Sequence, residues 1–307
     1  MHDVGKQFKQ ELAEHSWNKN YQELVKQAFA DPEVCALIAK HRDELTAQDL
    51  QRSASKVYEF VMIKNQLKRG EKTPVPGYVP QLQVVDHTLQ VIYVPSKEMQ
   101  AQHQLERLHA RIQLINLPKS LRNAQLADFD VTGRETAAQA ALDFVKTYLA
   151  SPNTFHQGLF LSGSFGVGKT YLLAAIANSL AAAGYRSLLV HFPSFSVSLK
   201  NSIGTPQTQQ LIDKIKMAPV LMIDDLGADQ LSSWIRDDVL GVVLQYRMQE
   251  QLATFFSSNF SLEELQSQYL TVSSRGDAEP LKAQRIMERI RYLAKEIIMI
   301  GKNRRNP

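Results

Sequence analysis

No feature constrains this chain more than the stretch "GLFLSGSFGVGKTYLLAAIANSLAAAG", which carries G-x-x-x-x-G-K-T from Gly163 to Thr170. An apolar strand, Leu159 to Leu161, runs into it, and an Ala/Leu-rich helix leaves it. Strand, glycine-rich turn and helix in that order are the context in which this pattern cradles phosphate. Gly163, Gly166 and Gly168 let the backbone turn tightly so that its N–H groups face a polyphosphate, and the helix N-terminus adds the positive end of its dipole. The nucleotide-binding run is therefore Gly163, Ser164, Phe165, Gly166, Val167, Gly168, Lys169, Thr170 and Tyr171. Within it Lys169 supplies a full charge to the β and γ phosphates of ATP. The Thr170 hydroxyl suits Mg2+, a hard cation that takes oxygen ligands.

Further along, "APVLMIDDLGAD" reads as a buried parallel strand, Val220 to Ile223, with Asp224 and Asp225 at its C-terminal end. Parallel α/β sheets place ligands at that end. Asp224 is expected in the Mg2+ shell and Asp225 beside the attacking water, whose proton it would accept. Aspartate in that second position reaches less far than glutamate, which points to slow turnover. A third strand, "ATFFSSNF", ends in Asn259, whose amide suits either the γ-phosphate or the cap of the helix beginning "SLEEL".

The chain has 307 residues, 44% of them hydrophobic and 21% charged, which is globular composition. The longest apolar stretch, Tyr171 to Gly184, is broken by Asn178 and Ser179 and is too short to span a bilayer; no charged-apolar-small leader opens the chain. A soluble cytoplasmic protein is expected. The net charge of +4 permits nucleic-acid contact without arguing for it. One cysteine, Cys35, rules out an internal disulfide or a multi-cysteine zinc site, and "EVCALIAKH" predicts a buried helix residue there.

Helical spacing marks the first 68 residues: Phe8, Leu12 and Trp17; Leu24, Val25, Ala28 and Phe29; Val57, Phe60, Val61 and Ile63. Asp31-Pro32 is an N-cap with proline at the first helical position. Prolines and "QLQVVDHTLQVIYV" then predict a hairpin-like part, and "SKEMQAQHQLERLHARIQLINLP" a helix ending before Pro118. After Asp128, helix and strand alternate as in a parallel α/β sheet. The expected layout is a small, mainly helical domain over 1–100, a linker helix over 101–125 and an α/β P-loop ATPase domain over 126–307.

Together "LPKSLRNAQLADFD", "GSFGVGKTYLL", "VLMIDDLGAD", "FFSSNFSLEEL" and "RIMERIRYLAKEI" resemble the DnaC-like AAA+ loaders of bacterial replicative helicases over roughly the last 190 residues, and "PGYVPQL" extends the likeness toward the N-terminus. The resemblance implies an N-terminal domain that docks on the hexameric helicase and an ATPase domain without a helical lid. ATP, Mg2+ and single-stranded DNA are its implied ligands, and primosome assembly at initiation or restart is its implied setting. Family members often bind zinc in the N-terminal domain; "QLKRGEKTPVP" holds no cysteine, so zinc is doubtful here, and His87 reads as a strand surface residue.

The resemblance also accounts for a basic C-terminal stretch, with eight Lys/Arg against two Glu from Lys282 to Arg305. It makes Arg289 of "MERIR" an arginine finger for a neighbouring subunit, which implies self-association, and gives Arg291 a supporting part. It places Arg304 and Arg305 in the sensor 2 region, with the choice between them open. For DNA, Lys200 and "TVSSRGDAEPLKAQR" carry suitable groups, although a solvated loop fits them better. Three rival functions remain: an ATP-switched binding module with negligible hydrolysis, an IstB-like transposition ATPase, and a small-molecule P-loop kinase. The last lacks an acceptor-binding segment.

Overall fold

The computed structural model describes residues 20–271 and 278–304, and within them the chain forms two compact units divided between Gln104 and Leu105. The expected helical positions Phe8, Leu12 and Trp17 lie outside the described residues.

Unit 1 packs α1 (20–29), α2 (Pro32–Lys40), α3 (Ala47–Arg52) and α4 (Ala54–Lys68) with the antiparallel hairpin β1 (Tyr78–Val85) and β2 (Thr88–Pro95). Asp31 caps α2 as expected, its carboxylate accepting from Glu33 N at 2.9 Å with Pro32 next in line. Ala28, Val34, Val57, Phe60, Leu82 and Leu89 form the core. Lys64 of α4 ties down the start of α2, with Nζ 2.8 Å from Asp31 and 2.9 Å from Glu33.

Two expectations are corrected here. Cys35 lies on α2 but is exposed, because Val34 takes the inward position, and its thiol donates to Phe29 O at 3.1 Å. His87 is in the hairpin turn, not on the strand: Asp86 and His87 have φ of 48° and 59°, as a two-residue turn with the right twist needs. Its Nδ1 donates to Glu44 O at 2.9 Å. Among the described residues no three His, Cys, Asp or Glu side chains gather as a metal site would require. The described residues of unit 1 therefore offer no ligand set that fits a zinc ion.

Helix α5 (Lys97–Arg111) ends earlier than its pattern predicts, and Ile112–Ile115 form a strand, β3. The run of Ile and Leu there pairs in parallel with β5 (Ser187–His191) at one edge of the unit 2 sheet, a tertiary contact that overrides helical spacing. That sheet also contains β4 (Gly158–Ser162), β6 (Val220–Asp224), β7 (Thr254–Ser258) and β8 (Ala294–Ile298), in the order β3-β5-β6-β7-β4-β8 with every pairing parallel. The final strand thus begins and ends earlier than the expected Ile297 to Ile300, since Gly158 to Ser162 set its partner positions.

Alternation along β4 feeds two cores. Leu159 and Leu161 face α6 (Glu135–Ala150) and α7 (Lys169–Ala182), whereas Phe160 faces α8 (Phe192–Ser202), α9 (Pro206–Lys216), α10 (Gly241–Gln249) and α12 (Pro280–Leu293). Between β7 and α12, Leu262–Glu264 form the short α11, which widens into Leu265–Leu270. Arg247, fully buried, fastens the starts of β6 and β7 by donating to Ala218 O and Ala253 O at 2.7 Å and to Thr254 Oγ1 at 2.8 Å. The chain leaves β4, lays down β5 at a distance, and returns through β6 and β7, so four strand ends open on one crevice. No helix among the described residues is long and apolar enough to cross a membrane.

Candidate active site

The glycine-rich turn from Gly163 to Gly168 links β4 to α7, and with the ends of β5, β6 and β7 it lines a cleft of about 520 Å³. That volume is in the range of small-molecule sites. Gly166 and Gly168 have φ of 77° and 96°, conformations that a side chain would oppose. Lys169 opens α7; it is 8% exposed, and its ammonium donates to Gly163 O (2.7 Å), Ser164 O (2.9 Å) and Asn259 Oδ1 (2.8 Å).

Thr170 Oγ1 donates to Asp224 at 2.8 Å, bringing together the hydroxyl and the carboxylate that the sequence assigns to Mg2+. Asp224 is 2% exposed. Burial pushes its carboxyl up, against the pull of hydroxyl donors from Ser257 and Thr170, and the neighbouring Asp225 adds to the rise. Ser257 donates to Asp224 Oδ1 at 2.6 Å while accepting from Asp225 N at 2.9 Å, so one hydroxyl fixes both acids. A hydroxyl and a carboxylate oxygen on one spot form the oxygen-only donor set that Mg2+ takes.

Asp225 follows the strand end with φ of 60°, a left-handed conformation that turns its carboxylate back over the cleft. Asn259 Nδ2 reaches its Oδ1 at 3.4 Å and His191 Nε2 its Oδ2 at 3.6 Å. Ser261, not Asn259, caps the following helix through a capping box with Glu264. Asn259 is thus left to bridge Lys169 and Asp225. His191 stands beside Asp224 in the β5–β6 register, and its Nδ1 pairs with Ser194 Oγ at 2.8 Å.

Tyr171 also lines the cleft, stacking on Phe129 at 6.2 Å and bonding through its hydroxyl to the backbone of Gln125. Phe165, in the turn, is exposed. Arg304 lines the cleft, but its guanidinium pairs with the Asp130 carboxylate, and its main-chain N donates to Gly166 O at 3.1 Å. Arg305 lies outside the described residues.

Arg289 stands apart from the cleft of its own chain. Half-buried on α12, it donates through Nη1 to Gly241 O at 2.9 Å, and burial, with Arg285 nearby, lowers its pKa. The helix is held at its start by the buried Arg236, which pairs with Asp237 and Glu279. Arg291 is on the surface near Glu288, and Lys200 is exposed on α8. All of "VSSRGD" in the second DNA candidate, residues 272–277, is outside the described residues; from Pro280 that segment is α12.

Motif spacing did not find His191, Ser257, Arg134 or Asp130. The parallel register carried the one available signal for His191 and Ser257, since the polar residues level with Asp224 toward the ends of β5 and β7 must face the same crevice.

The chain matches the family model "IstB-like ATP binding protein" over residues 85–302 and "Primosomal protein DnaI N-terminus" over residues 1–93. It is 35% identical to the replicative helicase loader DnaI of Bacillus subtilis (strain 168), over 100% of both chains. A crystal structure of DnaI superposes with a TM-score of 0.56 at 48% identity, covering 64% of this chain and 99% of that one. The fold is also similar to that of a crystallised DnaC helicase loader, with a TM-score of 0.50 at 23% identity over 60% of this chain and 100% of the other.

Proposed function

Because the chain belongs to the DnaI family of replicative helicase loaders, with an IstB-like AAA+ ATP-binding domain, we propose that it loads the hexameric replicative helicase onto single-stranded DNA at the expense of ATP. Unit 1 docks on the helicase and unit 2 binds nucleotide, in the cytoplasm, during primosome assembly. The observation that carries this reading is the gathering of five side chains at one crevice: Lys169, Asn259 and Asp225 in one run of hydrogen bonds, Thr170 and Asp224 in another, with Ser257 bridging the two.

In the proposed reaction the turn from Gly163 to Gly168 presents N–H groups to the phosphates, and Lys169, aimed by the carbonyls of Gly163 and Ser164, neutralises their charge. Mg2+, which Thr170 and Asp224 would hold, supplies charge to the phosphate oxygens. Asp225 accepts a proton from water attacking the γ-phosphorus as the bond to ADP breaks, and Asn259 orients that water. Arg289 acts on the site of a neighbouring copy, and Arg304 or Arg305 on phosphate.

One observation favours slow turnover: the short Asp225 side chain is shared between Asn259 and His191. That keeps the ATP-switch reading as the rival. The match of residues 1–93 to a DnaI N-terminus counts against a transposition ATPase. Steady-state ATP hydrolysis, measured alone and with single-stranded DNA and helicase, tests the proposal. Stimulation by both is expected; binding of ATP with no turnover under any condition would leave only the switch.

A further inference from the structure

Two carbonyls of the phosphate turn face away from the cleft, and each meets a donor from elsewhere in the chain. Gly166 O accepts from Arg304 N at 3.1 Å, and Val167 O accepts from Arg134 Nη1 at 2.6 Å. Arg134, the residue before α6, is 4% exposed. Its guanidinium lies 4.2 Å over the Phe129 ring and donates through Nη2 to Asp130 O. The Asp130 carboxylate is 4.0 Å away and is itself taken by Arg304, while Arg134 Nε finds no acceptor among the described residues. A buried guanidinium so sparsely compensated is expensive to fold, and the cost calls for a return elsewhere.

Peptide geometry supplies that return. In a planar trans peptide the C=O and the following N–H point in opposite directions. Holding Val167 O outward therefore turns Gly168 N–H inward, and holding Gly166 O outward does the same for Val167 N–H. Residue 168 must also be glycine for Arg134 to reach: a Cβ there would be 2.6 Å from Nη1. Arg134 is not among the residues lining the cleft, so it acts from behind the turn.

We propose that Arg134 is a positioning residue for the phosphate cradle, presetting the Gly168 N–H toward the nucleotide's β-phosphate before binding. The inference rests on the cleft being the nucleotide site. Preorganisation of this kind raises affinity by removing a cost of binding.

The test titrates full-length chain with fluorescent ATP and ADP analogues, comparing wild type, Arg134→Met and Arg134→Lys after melting curves establish that each is folded. Arg134→Met keeps the stem over Phe129 and loses every donor. It should weaken ATP and ADP by the same factor, roughly tenfold, because both nucleotides place a β-phosphate in the cradle. Arg134→Lys, with one donor on a stem of similar length, should recover part of the loss. Unchanged affinities in folded Arg134→Met, or a loss for ATP alone, would overturn the proposal. Should Arg134→Met fail to melt cooperatively, Arg134→Gln takes its place with the same expected and overturning results. Wild type that binds neither nucleotide, or Lys169→Ala that binds both normally, would instead overturn the nucleotide site itself.

Discussion

Arg289→Ala separates a finger acting on a neighbour from a residue that merely packs. Among the described residues Arg289 makes one hydrogen bond, to Gly241 O at 2.9 Å, and it is half-buried on α12. Losing that bond costs about 1–2 kcal/mol, which lowers the melting temperature of a unit of this size by roughly 2–8 °C. Nucleotide affinity of the monomer should hold, because the side chain lies outside its own cleft. Loss of a finger instead removes roughly 10³ to 10⁵ in rate. The two magnitudes are far enough apart for one experiment to decide between them. Lys169→Ala keeps a finger and lacks a pocket, and Arg289→Ala has the reverse defect. In a head-to-tail assembly mixed one to one, a good pocket meets a good finger at about a quarter of interfaces, half times half. Turnover by the mixture should therefore approach a quarter of the wild-type rate at equal total protein, where neither variant alone turns over. Light scattering checks that the variants co-assemble. Co-assembly without recovered activity would refute the reasoning, as would an activity loss that tracks only the fraction unfolded.

Asp225→Asn should leave ATP affinity within about twofold and lower single-turnover hydrolysis by roughly 10² to 10⁴, since the amide cannot accept the water's proton; unaltered hydrolysis would move the base elsewhere. In unit 1, burial opposes ionisation of Asp31, but Lys64 and the Glu33 amide more than offset it, so its carboxyl stays below its usual value. A depressed pKa gives stability that is complete above the unfolded value and is lost as pH falls through the folded one. Acid titration followed by circular dichroism should thus show Lys64→Met losing its deficit relative to wild type below about pH 4, and a pH-independent deficit would exclude the ion pair as its cause. EDTA should leave the melting curve of unit 1 in place; a lowered transition would reveal a metal.

The amino-acid sequence by itself determined whatever is written in contiguous residues. The glycine turn, Lys169 and Thr170 are adjacent in the chain, and a strand running into a helix leaves them one arrangement. Asp224 and Asp225 follow from an apolar run that has to be buried in a parallel sheet, which fixes the end at which its acids emerge. The Asp31 cap was legible for the same reason, its partner lying two residues away.

Tertiary structure decided whatever depends on a distant partner. Ile112 to Ile115 became a strand because β5 offered it an edge, and Cys35 lost the buried position to Val34 through the rotation of α2 against its neighbours. Asn259 entered the site because Ser261 took over the cap, two side chains of similar local propensity separated only by where the strand ends. Arg304 found Asp130, Ser257 found Asp224, and Arg134 found the outward carbonyl of Val167, across separations that carry no local signal. Local pattern constrains φ, ψ and which face is apolar. Which charges and carbonyls then meet follows from the order in which the strands are laid side by side.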